Sequence, residues 1–124
     1  MTTQAIINMI MFYSQMMNVD ANVALAVAKV ESNFKVDAVS SVGAVGIFQV
    51  VPRYSKYSRK ELFNPEINVK EGLRILKEAK RRCVHQVGNT WVLCFSHGHT
   101  GATKLRYPAS NFYVQRVNRT LEAM

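Results

Sequence analysis

The strongest constraint on the fold lies between Asn64 and Cys83. There Val69, Leu73, Leu76, Ala79 and Cys83 recur at three- and four-residue spacings, while Lys70, Arg74, Lys77 and Arg81 occupy the opposite stripe. That period matches one face of an α-helix, and Asn64 followed by Pro65 supplies an N-cap and a first helical residue that needs no N–H donor. Glu66 and Glu78 stand four residues from basic neighbours, so the charged stripe reads as a solvated face carrying ion pairs.

The same period recurs along the chain. A first helix is expected over Thr3 to Met17, with Ile6, Ile7, Ile10, Met11, Tyr13, Met16 and Met17 as a broad buried face. Asp20 reads as the N-cap of a second helix, with Val19 placed to staple onto Ala24 and with Val23, Val27 and Val30 continuing the apolar stripe. A shorter helix from Asn89 or Thr90 carries Trp91, Leu93, Cys94 and Phe95 inward, and a last one runs from about Ser110 to Leu121 through Val114 and Val117. Between Phe34 and Tyr57 the period is lost and Ser40, Ser41, Gly43, Gly46 and Pro52 appear, the composition of a structured loop with at most a short helical turn. With 124 residues, 48% of them hydrophobic, the chain suits one domain over 1–124 that is mainly α, a compact multi-helix fold with little or no β-structure.

Sixteen Lys and Arg against eight Asp and Glu give a net charge of +8, which favours a polyanionic partner: nucleic acid, anionic membrane or bacterial cell wall. Gln4, Asn8, Ser14, Gln15 and Asn18 interrupt the apolar N-terminus, so no run reaches the roughly 18 residues of a spanning helix. No Lys or Arg precedes Lys29, so a secretory signal is not expected, and a target outside the cytoplasm requires another delivery route. Cys83 and Cys94 are too few for a disulfide scaffold; flanking a turn at Gly88-Asn89-Thr90, they are either bridged or two reduced, buried thiols. Cys94 with His97 and His99 fits no common zinc spacing, and neither metal nor cofactor is expected. His85 reads as a cation at a helix end.

Glu31 stands out. It lies four residues after Val27 and seven after Ala24, which places a carboxylate on an apolar stripe. One reading pairs it with Lys35 on the surface. The other makes it a general acid whose pKa is raised by desolvation, by the negative end of its helix near Ser32 to Phe34 and by the absence of a nearby Arg. Glycosidic cleavage requires such a group, protonated near neutral pH.

The neighbouring residues favour the second reading. Glu31-Ser32-Asn33-Phe34, Asp37-Ala38-Val39-Ser40 and Val42-Gly43-Ala44-Val45-Gly46-Ile47-Phe48-Gln49-Val50-Val51-Pro52 together resemble the signature of soluble lytic transglycosylases of the lysozyme superfamily. Leu62-Phe63-Asn64-Pro65 with Asn68, Val69 and Gly72 is similar to that family's next block, and Asn111-Phe112-Tyr113-Val114 with Arg116 and Val117 to its terminal helix. The resemblance spans about Val19 to Leu121 and implies a lysozyme-like fold. It implies Glu31 as acid and then base, Ser40 as a hydroxyl near the reacting sugar and Gln49 as an amide on the glycan. The further residues placed at the substrate are Ser32, Gly46, Phe48, Val51, His97 and Tyr113; for Gly46 and Phe48 ordinary turn and core roles stand beside substrate contact, and Ser32 also reads as ending its helix. Gly43 and Gly46 allow positive φ in a loop beside a sugar chain, and Ile47, Phe48 and Val51 supply apolar walls.

One block departs from the family's pattern. Cys94-Phe95-Ser96-His97-Gly98-His99 stands where the family carries Ala-Tyr-Asn-Ala-Gly, so Ser96 occupies the position of a tyrosine that orients the acid. Tyr107, Tyr113 and His97 are the candidates to replace it. The implied reaction cleaves peptidoglycan between N-acetylmuramic acid and N-acetylglucosamine and closes a 1,6-anhydro ring, with one carboxylate and no cofactor. Its expected partner is the glycan strand rather than nucleic acid. A monomer is expected, acting on the wall in the periplasm or outside the cell, and the short chain without a signal suits a phage lysis or virion protein or a domain of a larger one. The competing readings are a hydrolase resembling goose-type lysozyme, an inactive protein of the same fold and a basic nucleic-acid-binding module, the last leaving Glu31, Ser40 and Gln49 without a role.

Overall fold

In the computed structural model, which describes residues 1–83, 91–92, 94–95 and 112–124, the first four helices each begin on identifiable capping chemistry. α1 (Thr3–Met17) starts where Thr2 accepts the Ala5 N–H and stops at Asn18 in the left-handed conformation. α2 (Ala21–Ser32) is capped by Asp20, which accepts the N–H groups of Asn22 and Val23, and ends at Asn33 with φ 53°. α3 (Arg59–Leu62) is a single turn with a reciprocal capping box between Ser58 and Glu61. α4 (Pro65–Cys83) follows at once, with Asn64 Oδ1 accepting from Glu66 and Ile67 as expected. α5 (Phe112–Glu122) closes the chain; Ser110, its expected cap, lies outside the described residues.

α2 packs against α5 and α1, α1 crosses α4, and α3 rests on α4. Val27, Leu73, Leu76, Val69 and Val117 from these helices are wholly buried, each contributing roughly 1.5–3 kcal/mol by leaving water. The segment between α2 and α3 enters the same core: Val45, Ile47, Phe48 and Val50 are all 0% exposed. It is knit by isolated antiparallel bridges, Val39 with Val45 and Val45 with Val50, and by a 3₁₀ turn at Pro52–Tyr54. Among the described residues there is no β-strand, and the fold is mainly α with the little β-structure expected of a lysozyme-like domain. No described helix is long and apolar enough to cross a membrane.

Three expectations need correction. The buried face of α1 is narrower than its composition implies: Ile6, Ile10 and Ser14 form the stripe, while Met11 and Met16 are 48% and 70% exposed. α2 and α4 both pack on α1, but the side they cover holds the stripe of Ile6, Ile10 and Ser14 and leaves Met11 and Met16 largely in solvent. On α4, Arg74 bonds Glu71 through Nε and Nη2 at 2.6 and 3.1 Å rather than reaching Glu78, which pairs with Arg81. Glu71 is 2% exposed, and a buried carboxylate draws in the nearest cation and the Ser55 hydroxyl, here at 2.6 Å. Finally, α3 forms in a stretch where no helix is expected, nucleated by its capping box.

Cys83 and Cys94 are joined as a disulfide, with Cα atoms 6.5 Å apart. The bond ties the end of α4 to the buried residues Trp91, Val92, Cys94 and Phe95 and removes Cys94 as a metal ligand. Leu93 and His85 lie outside the described residues.

Candidate functional site

Glu31 occupies the last turn of α2, and helical geometry brings it toward α5. The Tyr113 hydroxyl, 82 residues away in sequence, donates to Glu31 Oε2 at 2.9 Å. Burial pushes the Glu31 carboxyl up from 4.5 to about 7; the Tyr113 hydrogen bond and the nearby Arg116 guanidinium pull it down by less. Burial, then the adjacent Glu31, push the Tyr113 phenol well above its ordinary value, so it stays a neutral donor. Arg116 is a correction to the expectation that no Arg lies near: Nη2 donates to Val30 O at 3.4 Å from a helix remote in sequence. The Lys35 pairing is absent among the described ion pairs, because Asn33 and Phe34 (φ 53° and 63°) turn the chain off the helix before a further turn forms.

The adjoining loop is anchored at several points. Ser32 is buried and donates to Ile47 O at 2.7 Å, so the hydroxyl next to the acid fixes the loop to α2 rather than offering a surface for sugar. Asn68 on α4 clamps the same stretch: Oδ1 accepts from Phe48 N, and Nδ2 donates to Val45 O and Leu62 O, all within 2.8–2.9 Å. Gly46 (φ 77°) lies against this amide, and a Cβ there would overlap it; its N–H donates to Ala38 O at 2.7 Å. Phe48 is wholly buried, packed over Gly72, where a Cβ would strike its ring, and edge-on to Phe95 at 6.3 Å. Gly46 and Phe48 thus support the site from beneath, and the substrate contact expected of Phe48 is unavailable because it has no surface.

Gln49 adopts a left-handed backbone (φ 52°), and its Nε2 donates to Ala38 O and Gly46 O at 3.1 and 3.0 Å. With both amide hydrogens engaged, Oε1 is the atom left to accept a bond. Ser40 Oγ accepts the N–H groups of Ala44 and Val42 at 3.0 and 3.3 Å, which orients the hydroxyl and leaves its hydrogen free to donate. Half-buried Val51 lines a depression of about 390 Å³ with Val42, Gly43, Pro52, Arg53, Tyr54 and Arg59; Val42 and Tyr54 are 78% and 50% exposed there. His97, His99, Ser96 and Tyr107 lie outside the described residues. Among the described residues, no group of three His, Cys, Asp or Glu side chains is placed to hold a metal ion.

Sequence reasoning missed Arg116 as a neighbour of the acid and Glu71 with Ser55 as an anchor of the 52–57 turn. A buried carboxylate on α4 was detectable only as Glu71 standing one residue before Gly72 on the apolar side of the helix.

A helical domain with a single half-buried carboxyl at a helix end, beside a loop held by an asparagine clamp, has the architecture of a lysozyme-like glycan-cleaving protein. Residues 8–113 match the family model described as the Transglycosylase SLT domain, and the chain belongs to that family. No curated protein matches the chain.

Proposed function

We propose that this protein is a peptidoglycan lytic transglycosylase in which Glu31 is the sole acid and base. The observation that carries the reading is the Glu31–Tyr113 contact, which holds a carboxyl with a pKa of about 7 at the end of α2. Tyr113 donates to Oε2, which leaves Oε1 to carry the proton of the neutral acid. That proton passes to the oxygen bridging muramyl C1 and N-acetylglucosamine, and the C1–O bond breaks. The muramyl acetamido oxygen supports the developing charge at C1. The Glu31 carboxylate then accepts the proton of the muramyl O6 hydroxyl as O6 closes on C1. The enzyme regains its neutral acid, and no water is consumed.

Ser40, with its donor hydrogen free, serves as a polar contact to the glycan, Gln49, only 8% exposed, offers Oε1 alone, and Val51 with Tyr54 extends the surface along the chain. Tyr113 takes the orienting role left vacant at Ser96. Asp37 is exposed on the loop, a poor setting for a second catalytic carboxylate. The disulfide suits an oxidising compartment, in keeping with action on the wall in the periplasm or outside the cell, as a phage lysis or virion protein or as a domain of a larger one. We read residues 1–124 as one lytic domain.

Digestion of purified peptidoglycan by the wild type and by Glu31→Gln, with mass analysis of the fragments, tests the proposal. Anhydromuramyl products from the wild type and none from the variant are expected. Products heavier by one water would make the protein a hydrolase, and undiminished digestion by the variant would remove Glu31 from the chemistry.

A further inference from the structure

Lys29, Arg116 and Arg119 surround a depression of about 320 Å³ at the seam between α2 and α5, completed by Val30, Asn33 and Thr120. No carboxylate lines it, all three cations are exposed, and none has an ion-pair partner among the described residues. On α4, by comparison, Lys70, Arg74 and Arg81 are each matched by a glutamate, Lys77 donates to Met17 O and Lys80 lies over the Trp91 ring. Three like charges around one hollow repel one another, and an anionic ligand relieves that repulsion.

The hollow adjoins the acid. Arg116 bonds Val30 O at its wall and lies near enough to Glu31 to act on its charge. On the same helix, Tyr113, Arg116 and Thr120 follow one another at helical spacing, so a single seam carries the acid's hydrogen-bond donor and the basic hollow. The geometry points to a binding site for the carboxylates of the peptide attached to the muramyl residue, formed by Lys29, Arg119 and Arg116. This inference rests on the wall-cleaving reading: the peptide hangs from the sugar whose C1 that reaction attacks, and its carboxylates are the anionic groups nearest the cleaved bond. Asn33 and Thr120 offer an amide and a hydroxyl to the peptide backbone, and Val30 an apolar floor. A hollow of this size accommodates one short anionic chain rather than a polymer track.

Binding is measured with a soluble disaccharide-peptide on Glu31→Gln, which does not turn it over, and on Glu31→Gln combined with Lys29→Gln and Arg119→Gln. The expected result is about tenfold weaker binding to the triple variant, with loss of salt sensitivity. The same ligand with its carboxylates amidated should bind both proteins alike. Equal affinities for the unmodified ligand would overturn the assignment.

Turnover supplies the second arm. Lys29→Gln/Arg119→Gln in the otherwise wild-type protein should raise KM several-fold on peptide-bearing glycan and leave glycan stripped of its peptides unaffected. Equal losses on both substrates would overturn the site, marking a general effect of charge or folding. If the wild type cleaves neither glycan, the proposed reaction fails, and the binding comparison still decides the carboxylate site.

Discussion

Glu31→Gln should make the protein more stable at pH 8 while removing its activity. The folded state holds the Glu31 carboxyl at about 7 against 4.5 for an unburied one. A carboxyl raised on folding binds its proton more tightly in the native state, so the native state gains nothing from it below pH 4.5. Its penalty grows between pH 4.5 and 7 and is complete above that window. The elevation corresponds to roughly 3 kcal/mol at about 1.4 kcal/mol per tenfold change in proton affinity. Glutamine keeps an acceptor for the Tyr113 hydroxyl and never ionises, so it escapes the penalty. The other shifted carboxylates, Glu61, Glu66, Glu71 and Glu78, lie below the ordinary value and tilt stability the opposite way, but they are common to both proteins and cancel in the difference. Urea unfolding of both proteins at pH 4.5 and pH 8 should show near-equal stability at the lower pH. At the higher pH the variant should lead by about 2–3 kcal/mol, or roughly 10 °C in melting temperature. A difference that does not change with pH would refute the reasoning, because it would mean that Glu31 ionises as readily in the folded chain as in the unfolded one.

Tyr113→Phe removes a bond that lowers the Glu31 pKa, so the alkaline limb of the pH–rate profile should move to higher pH with a lower kcat; an unmoved limb would separate the two residues. Asn68→Ala leaves Phe48 N and Leu62 O without their partner, while Val45 O keeps the Val50 N–H, and should cost about 2–3 kcal/mol in urea unfolding, with activity falling as the loop loosens. Reduction of the Cys83–Cys94 bond, or Cys83→Ser with Cys94→Ser, should cost roughly 3 kcal/mol from loop entropy, read as a lower melting temperature, with the Glu31 site still assembled.

The parts of the fold that the sequence predicts well are those decided within one or two turns of chain. Asp20 and Asn64 cap the helices their neighbours require, and Val69 through Cys83 hold one buried stripe because nothing outside α4 is needed to define it. Ser58-x-x-Glu61 is an equally local signal, a reciprocal cap that marks the start of α3 without any apolar period behind it. Met11 and Met16 differ for another reason: hydrophobicity states what can be buried, while the area that α2 and α4 cover decides what is. At the site, the acid and its apolar stripe were legible, as were the residues of its loop. Their division of labour was not, since whether Ser32 and Phe48 face a ligand or the interior depends on Ile47, Gly72 and Phe95 arriving from other segments. The surroundings that set the Glu31 pKa come from α5, and no spacing rule links Arg116 to a carboxyl on α2.

A carbon-13 NMR titration that follows the side-chain carboxyl carbon of Glu31 tests the central claim most directly. The account predicts a midpoint near 7, moving upward in Tyr113→Phe. A midpoint near 4.5 in the folded protein would contradict it, because such a group would carry no proton to donate at neutral pH.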